Sequence, residues 1–259
     1  MNEMTESNRK GWDGLAEAHY KNYHIDRLLS GEPLLDDLVR TEVGDVAGKS
    51  LVHLLCHIGS DTLSWALLGA KVTGVDISPV ALTCARKLAD RMGVEAEFIE
   101  SDVMELMTKT SAKYDIVFSS LGVLCWLPDI DVYARTVRHL LKDDGLFYLH
   151  EFHPFVNAIM DDAGSMGGDA VQGDYFRKQV WKFDDMGDYV DLNIKIPHSS
   201  YEWNWTLGEV VTACCNAGLR IEFLREYPRY TYGGCDCYFA VPDKVEPFPC
   251  VFSLKASVG

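Results

Sequence analysis

Residues 51–78 read LVHLLCHIGSDTLSWALLGAKVTGVDIS. An apolar run ends at Cys56-His57, and a turn around Gly59 follows. A helical pattern then runs to Gly69, and a second apolar run stops at Asp76. Strand, helix and strand at this spacing make a βαβ unit, whose crossover lays the second strand parallel to the first. Ser60 or Asp61 is placed to cap the helix. Asp76 lies 19 residues beyond His57, close to the offset of about 20 at which an acid on the second strand tip reaches a ribose diol. Two adjacent hydroxyls can each donate to one oxygen of a carboxylate. The competing reading makes Asp76 an acid placed before the helix that opens at Ser78-Pro79.

The same rhythm continues outward. SLVHLLC (50–56) and KVTGVDI (71–77) are strands. SPVALTCARKLADRMG (78–93) is a helix with Ser78 as N-cap, Pro79 in its first turn and Gly93 at its end. AEFIE (96–100), YDIVFSS (114–120) and LFYLHEF (146–152) are further strands. Between the last two lie the helix IDVYARTVRHLL (130–141) and a turn, KDDG. The pattern predicts an α/β fold: a doubly wound, mostly parallel, seven-stranded sheet with helices on both faces. One domain is expected over 1–259. Residues 1–45 form an N-terminal helical lid, with helices over 4–22 and 24–42, the second broken at Gly31-Glu32-Pro33. Residues 154–205 form an antiparallel insertion after the fifth strand, pairing YFRKQVWKF with DYVDLNIKI on the substrate side. TLGEVVTACCNAGL resumes as a helix capped by Thr206, and RIEFLREY and CVFSLKAS complete the sheet.

Composition narrows the function classes. The 259 residues are 47% hydrophobic, enough for a sizeable core, and the formal charge is −15. Such acidity without a Lys/Arg cluster repels phosphate backbones and anionic surfaces, so neither nucleic acid nor membrane is an expected partner. The polar start MNEMTESNRK carries no apolar signal core, and a cytoplasmic protein, monomer or homodimer, is expected. The eight cysteines lack paired zinc spacing, and Cys235-x-Cys237 is too close for a typical pair, so no metal is expected. His53 and His57 share one face of a strand but stand about 13 Å apart at the strand rise, too far for one ion. His53 reads as a polar residue behind the pocket and His57 as a shaper of the turn.

The turn CHIGSDT holds only Gly59 of a G-x-G-x-x-G fingerprint, which disfavours a dinucleotide or triphosphate. With FIESDVMEL, YDIVFSSLGVLCWLPD and LKDDGLFYLHEFHPF, the stretch resembles the class I, Rossmann-like, seven-stranded S-adenosylmethionine-dependent methyltransferases, in a form with a histidine-bearing first motif. That family commonly has an acid at position 53 and then G-C-G-x-G; here His53 and Leu55-Cys56-His57-x-Gly59 stand in their places. The resemblance implies S-adenosylmethionine as cofactor and S-adenosylhomocysteine as product. It sets backbone at Cys56 and Gly59 against the methionine part, with Asp61 and Thr62 near its amino and carboxylate groups. It puts Asp76 on the ribose, Ile77 against the adenine, and Asp102 with the Val103 N–H on the adenine edge. It puts Ser119 beside the sulfonium. An N-terminal helix often covers the cofactor in this family, which makes Trp12 and Tyr20 candidates for that cover, with ordinary core packing as the alternative.

Methyl transfer from a sulfonium needs proximity and alignment, and a base only where the acceptor must lose a proton. HEFHP (150–154) supplies His150, Glu151 and His153 as candidates, His153 first as a base in the substrate pocket; Glu151 could equally hold a cationic substrate. The aromatic run YEWNW (201–205) is read either as a wall for a planar substrate or as a packed hinge. SSLG after the fourth strand differs from the Asn/Asp-Pro-Pro-Tyr/Phe run of amino-group methylases, which points away from DNA bases and protein glutamine. The expected function is methylation of O, N or S of a small molecule. A non-catalytic binder of the same cofactor, acting as sensor or interaction protein, is the alternative, and the missing glycine fingerprint argues against a nicotinamide oxidoreductase.

Overall fold

The computed structural model describes residues 2–159, 174–176, 178–184, 188, 190–191, 193–195, 198–228 and 249–259. Cys235-x-Cys237 and the glycines at 164, 167, 168 and 173 lie outside them. The chain begins with three helices, α1 (Glu3–Asn22), α2 (Ile25–Leu29) and α3 (Asp37–Val43). There follow β1 (Ser50–Leu54), α4 (Ser60–Leu67), β2 (Lys71–Asp76), α5 (Pro79–Met92), β3 (Ala96–Glu100) and α6 (Leu106–Lys109). Then come β4 (Tyr114–Ser120), α7 (Ile130–Leu140), β5 (Leu141–Phe152) and α8 (Val156–Ile159). The last elements are β6 (Trp181–Phe183), β7 (Ser200–Glu202), α9 (Leu207–Asn216), β8 (Leu219–Tyr227) and β9 (Val251–Val258).

Seven strands form one sheet in the order β3-β2-β1-β4-β5-β9-β8. β1 to β5 run parallel, and β9 lies antiparallel between β5 and β8. The sheet is covered on both faces, so its central strands are continuous apolar runs. One side packs α7 and α9, through Tyr133, Val137, Leu140, Val210 and Ala213, on Val117, Leu149 and Leu254. The other packs α3 and α4 through Val39, Val43 and Trp65 on Leu51, Phe118 and Tyr148. α1, α2 and α5 build a third cluster beside it through Ala16, Leu28 and Leu88. Strand order reverses between β1 and β4, so the crevice at their carboxyl ends is where an open α/β sheet takes a ligand.

Three local expectations change. Ser60 and Asp61 are inside α4; its cap is Gly59, at φ 75°, with no side-chain bond. A Cβ there would meet Ala85 Cβ at 3.0 Å and Phe98 Cε1 at 3.1 Å, so both backbone and space select glycine. KDDG is no free turn: β5 runs through it, with a register irregularity opposite Tyr114 and Ile116. In the inserted region β6 pairs antiparallel with Ser200–Glu202, the strand pairing found there among the described residues; parts of the 188–196 run lie outside them. The reason is tertiary. The Asn8 amide of α1 donates to Tyr201 O at 2.7 Å and accepts from Tyr201 N at 2.8 Å, and Trp203 N donates to Cys125 O at 2.8 Å. Ser78, Pro79 and Gly93 terminate α5 as the sequence predicts, and Thr206 and Glu209 form a reciprocal capping box on α9. Among the described residues no helix is long and apolar enough to cross a membrane.

Candidate active site

A cleft of about 140 Å³ opens at the carboxyl ends of β1, β2 and β4, with α1 along one side. Its floor is the turn after β1. Leu55 and His57 both hold left-handed backbone, φ 58° and 50°, and Gly59 follows at 75°. Non-glycine residues pay about 1–2 kcal/mol for that conformation. The turn therefore keeps the shape of a glycine-rich loop without two of its glycines.

Asp76 lines the cleft at the tip of β2 and is 9% exposed. Its two oxygens accept from His57 N (2.7 Å) and Ser78 N (2.8 Å), which locks the carboxylate plane across the turn. Burial pushes its pKa up to about 6, against the pull of these backbone N–H groups. Asp102 also lines the cleft; one oxygen accepts from Met104 N at 2.9 Å and caps the short turn that follows β3. Asp61, at the start of α4, accepts from Ser120 Oγ at 2.9 Å and so ties the first turn to the tip of β4. Trp12 stands edge-on to His57 (5.0 Å between ring centres) and to Trp126 (5.3 Å), closing the cleft from α1.

Seven of the expected cofactor residues line this cleft together: Trp12, Cys56, Asp61, Asp76, Ile77, Asp102 and Val103. Four stand behind or outside it. Gly59 shapes the turn from beneath. Thr62 is fully buried and bonds His53 Nδ1 at 2.9 Å. Ser119 is fully buried, its hydroxyl 2.7 Å from Tyr133 Oη. Tyr20 lies on the α5 side, accepting from Arg91 at 2.9 Å with Lys87 over its ring.

The three acid–base candidates are not among the lining residues. Glu151 is buried, and each of its oxygens takes two backbone N–H groups: Gly122 and Phe152 on one, Val123 and Leu124 on the other, at 2.6–2.8 Å. Burial raises its pKa while those four bonds oppose the rise. It organises the loop after β4, whose residues 120–123 and 126–128 do line the cleft. His153 accepts from Phe155 N through Nδ1 (3.0 Å) and meets Glu226 through Nε2 (2.8 Å) at the β8 edge. Burial lowers its pKa against the raising effect of Glu226. His150 is buried between Ser120 on β4 and Ser253 on β9, and burial drops its pKa to about 4 despite the nearby Asp36 and Glu42 charges. Of the aromatic run, Trp203 and Trp205 are stitched to the same loop, Trp205 Nε1 donating to Leu127 O at 3.0 Å.

The sequence reading passed over several lining residues. Thr5 and Asn8 of α1 reach the cleft, as does Trp126. His53, expected behind the pocket, and His57, expected to shape the turn, line it as well, the first joined to Thr62 and the second 2.8 Å from His19. Thr5, Asn8 and Trp12, each about one helical turn from the next on one face, were the available signal for α1.

Residues 52–147 match the family profile described as a methyltransferase domain. That stretch of the chain is a methyltransferase domain, and the sheet built around it has the class I, Rossmann-like methyltransferase fold. The ubiquinone biosynthesis O-methyltransferase of Salmonella paratyphi A is 30% identical over 134 residues, 52% of this chain and 52% of that enzyme. The same enzyme of Cronobacter sakazakii is 28% identical over 171 residues, 66% of this chain and 64% of its own. Other curated relatives are matched over about half their length. Among solved structures, an S-adenosylmethionine-dependent methyltransferase from Mesorhizobium loti superposes with a TM-score of 0.56 at 18% identity, over 85% of this chain and 95% of that one, which places the fold.

The residues present fit the family's cofactor. A nucleoside needs a diol acceptor and an adenine-edge acceptor on adjacent strand tips, and the carboxylates of Asp76 and Asp102 line the cleft at two such tips. His53 lines this cleft, and its buried Nε2 has no hydrogen-bond partner among the described residues.

Proposed function

We propose that the protein transfers a methyl group from S-adenosylmethionine to an oxygen, nitrogen or sulfur atom of a small molecule, with oxygen favoured by the names of its curated relatives. The observation that carries the reading is Asp76: a buried carboxylate at the strand-order reversal, its two oxygens fixed across the first turn and open to the cleft.

S-adenosylmethionine supplies an activated methyl group on a cationic sulfur. The chain binds, aligns and excludes water. Asp76 holds the ribose, Asp102 with Val103 and Ile77 the adenine, and Asp61 with the start of α4 the amino-acid end. Trp12 and Trp126 wall the open side. Glu151 acts through the loop it holds, fixing Gly122–Leu124 against the cleft. The segment stitched to that loop through Trp203 and Trp205 lies on the acceptor side.

Calorimetric titration with S-adenosylmethionine, S-adenosylhomocysteine and NAD tests the assignment; binding of NAD alone would overturn it. Incubation with methyl-tritiated cofactor and fractionated metabolites then tests catalysis. Tight cofactor binding with no labelled acceptor would favour the non-catalytic sensor reading.

A further inference from the structure

The cleft and its mouth combine carboxylates with indole rings. Asp61, Asp76 and Asp102 line the cleft, and among the described residues no lysine or arginine does. Its two histidines are held neutral by burial, which drops the His53 pKa to about 3 and, with the neighbouring His19, pushes that of His57 well down. Cations on the elements beside the cleft are committed elsewhere. Arg9 of α1 bridges Glu6 and Asp13 at 2.7 Å each, and Lys182 of β6 bridges Asp184 at 2.9 Å. His19, behind His57, faces Asp188 at 2.8 Å. S-adenosylmethionine carries one net positive charge, so three carboxylates leave the filled cleft negative.

Glu202 adds a carboxylate at the mouth. It ends β7, between two attachments that fasten this strand to the cleft wall: Tyr201 to the Asn8 amide at 2.7 and 2.8 Å, and Trp203 N to Cys125 O at 2.8 Å. Asn8 and Trp126, the neighbour of Cys125, both line the cleft. By strand alternation Glu202 shares a face of β7 with Ser200, which is buried. Burial, and then the charges of Glu202 and Glu151, push the Cys125 thiol pKa well up, which sets the Glu202 carboxylate near that loop. No hydrogen bond or ion pair reaches this carboxylate among the described residues, and burial alone pushes its pKa up to about 7. Such a group costs stability unless a ligand supplies the counter-charge. Trp12 and Trp126 stand edge to face with 5.3 Å between ring centres, an aromatic corner suited to a cation over a ring face.

We propose that Glu202 binds the methyl acceptor, and that this acceptor carries a protonated amine, held between the Glu202 carboxylate and the indoles of Trp12 and Trp126. This rests on the methyl-donor reading above. The amine is the group by which the acceptor is gripped; the methylated oxygen, nitrogen or sulfur can stand elsewhere on the same molecule. The charges that draw an amine also repel acceptors bearing a carboxylate or phosphate.

The test uses methyl-tritiated S-adenosylmethionine with a metabolite extract divided by ion exchange into cationic, neutral and anionic fractions. Labelled product is expected from the cationic fraction. Glu202→Gln keeps the shape of the side chain and removes its charge. Half-maximal labelling should then need about tenfold more of the cationic fraction, as for loss of a bond to a charged group, with the plateau rate unchanged. Affinity for S-adenosylhomocysteine should stay the same. Melting reads a purely structural role separately: at about pH 8 an unpaired carboxylate costs stability, so Glu202→Gln should melt at or above the wild-type temperature. A lower melting temperature, labelling of neutral or anionic acceptors alone, or wild-type labelling by Glu202→Gln would each overturn the proposal. If the wild type binds no S-adenosylhomocysteine, the methyl-donor reading itself fails. If it binds and labels only neutral or anionic acceptors, only this inference does. Binding with no label in any fraction favours the non-catalytic reading and removes the acceptor site with it.

Discussion

Replacing Asp76 by asparagine separates the electrostatics of the empty cleft from those of the filled one. In the folded protein burial raises the Asp76 pKa from its ordinary 3.8 to about 6. The folded state therefore binds a proton more tightly than the unfolded chain between these two values. The stability linked to this group is fully present below about pH 3.8 and is lost as pH rises through about 6, a penalty on the order of 3 kcal/mol at neutral pH. Asp76→Asn removes that penalty. It also sets an NH₂ group against either His57 N or Ser78 N, and one orphaned backbone N–H costs about 1–3 kcal/mol. The two terms nearly cancel near neutral pH, so the variant should melt close to the wild type there and below it under acid conditions.

Binding behaves differently. A ribose diol needs two acceptor oxygens, and asparagine has one. Affinity for S-adenosylhomocysteine should fall by roughly 1.5–3 kcal/mol, or about 10–150-fold, at about pH 7.5. The wild-type affinity should rise as pH increases through about 6, where the carboxylate ionises, and the Asp76→Asn curve should stay flat across that window. Isothermal titration in matched buffers from about pH 5 to 8 reads both. Equal affinities for the two proteins, or a flat wild-type curve beside an unchanged variant, would remove Asp76 from the ribose.

Other substitutions probe the scaffold. Glu151→Gln orphans two of four backbone N–H groups whichever way the amide turns, and should destabilise by roughly 2–5 kcal/mol in urea unfolding. Gly59→Ala forces a Cβ against Ala85 and Phe98 at a left-handed residue, and should lower stability by roughly 2–4 kcal/mol. Because Gly59 lies beneath the floor, cofactor affinity should fall with it. His153→Ala loses contacts to Glu226, Phe155 N and the Phe252 ring, all away from the cleft lining, so cofactor affinity measured by calorimetry should not change.

What the sequence made legible was what local pattern controls. The strands β1 to β4 and the helices α4, α5 and α7 announce themselves by apolar period, because that signal lies within one element; the short α6 and the glycine cap of α4 do not. Asp76 was legible because a βαβ unit fixes the separation between two strand tips. Ser200–Glu202 as the partner of β6 was not, since pairing in a two-stranded ribbon has no register of its own here. Asn8 of α1 and Cys125 of the loop after β4 choose it from outside. HEFHP misled for a related reason. Its residues are chemically suited to catalysis, and strand alternation gave Glu151 a face, but only the fold shows that four backbone N–H groups already occupy both its oxygens.

The first turn shows how a motif can lose its letters and keep its geometry. A sequence comparison scores Leu55 and His57 as departures from glycine, and the inference that the turn might differ in shape is reasonable on that basis. The backbone angles say otherwise: both residues adopt the conformation that glycine would. The combined strain, on the order of 2–4 kcal/mol for two left-handed residues, must be met by contacts that glycine could not make. Leu55 packs on the core beneath the cleft. His57 has His19, Trp12 and Tyr23 around its ring. Both residues thus exchange backbone ease for side-chain contacts, and those of His57 tie α1 to the cleft floor. It follows that Leu55→Gly and His57→Gly should both relax the turn, and that His57→Gly should also loosen the N-terminal helix. Hydrogen exchange in α1 should accelerate in His57→Gly while the amides of β1 keep their protection. Unchanged exchange in α1 would mean that the helix is held by its contacts with α5 and β7 alone, and that the histidine was kept for some other reason.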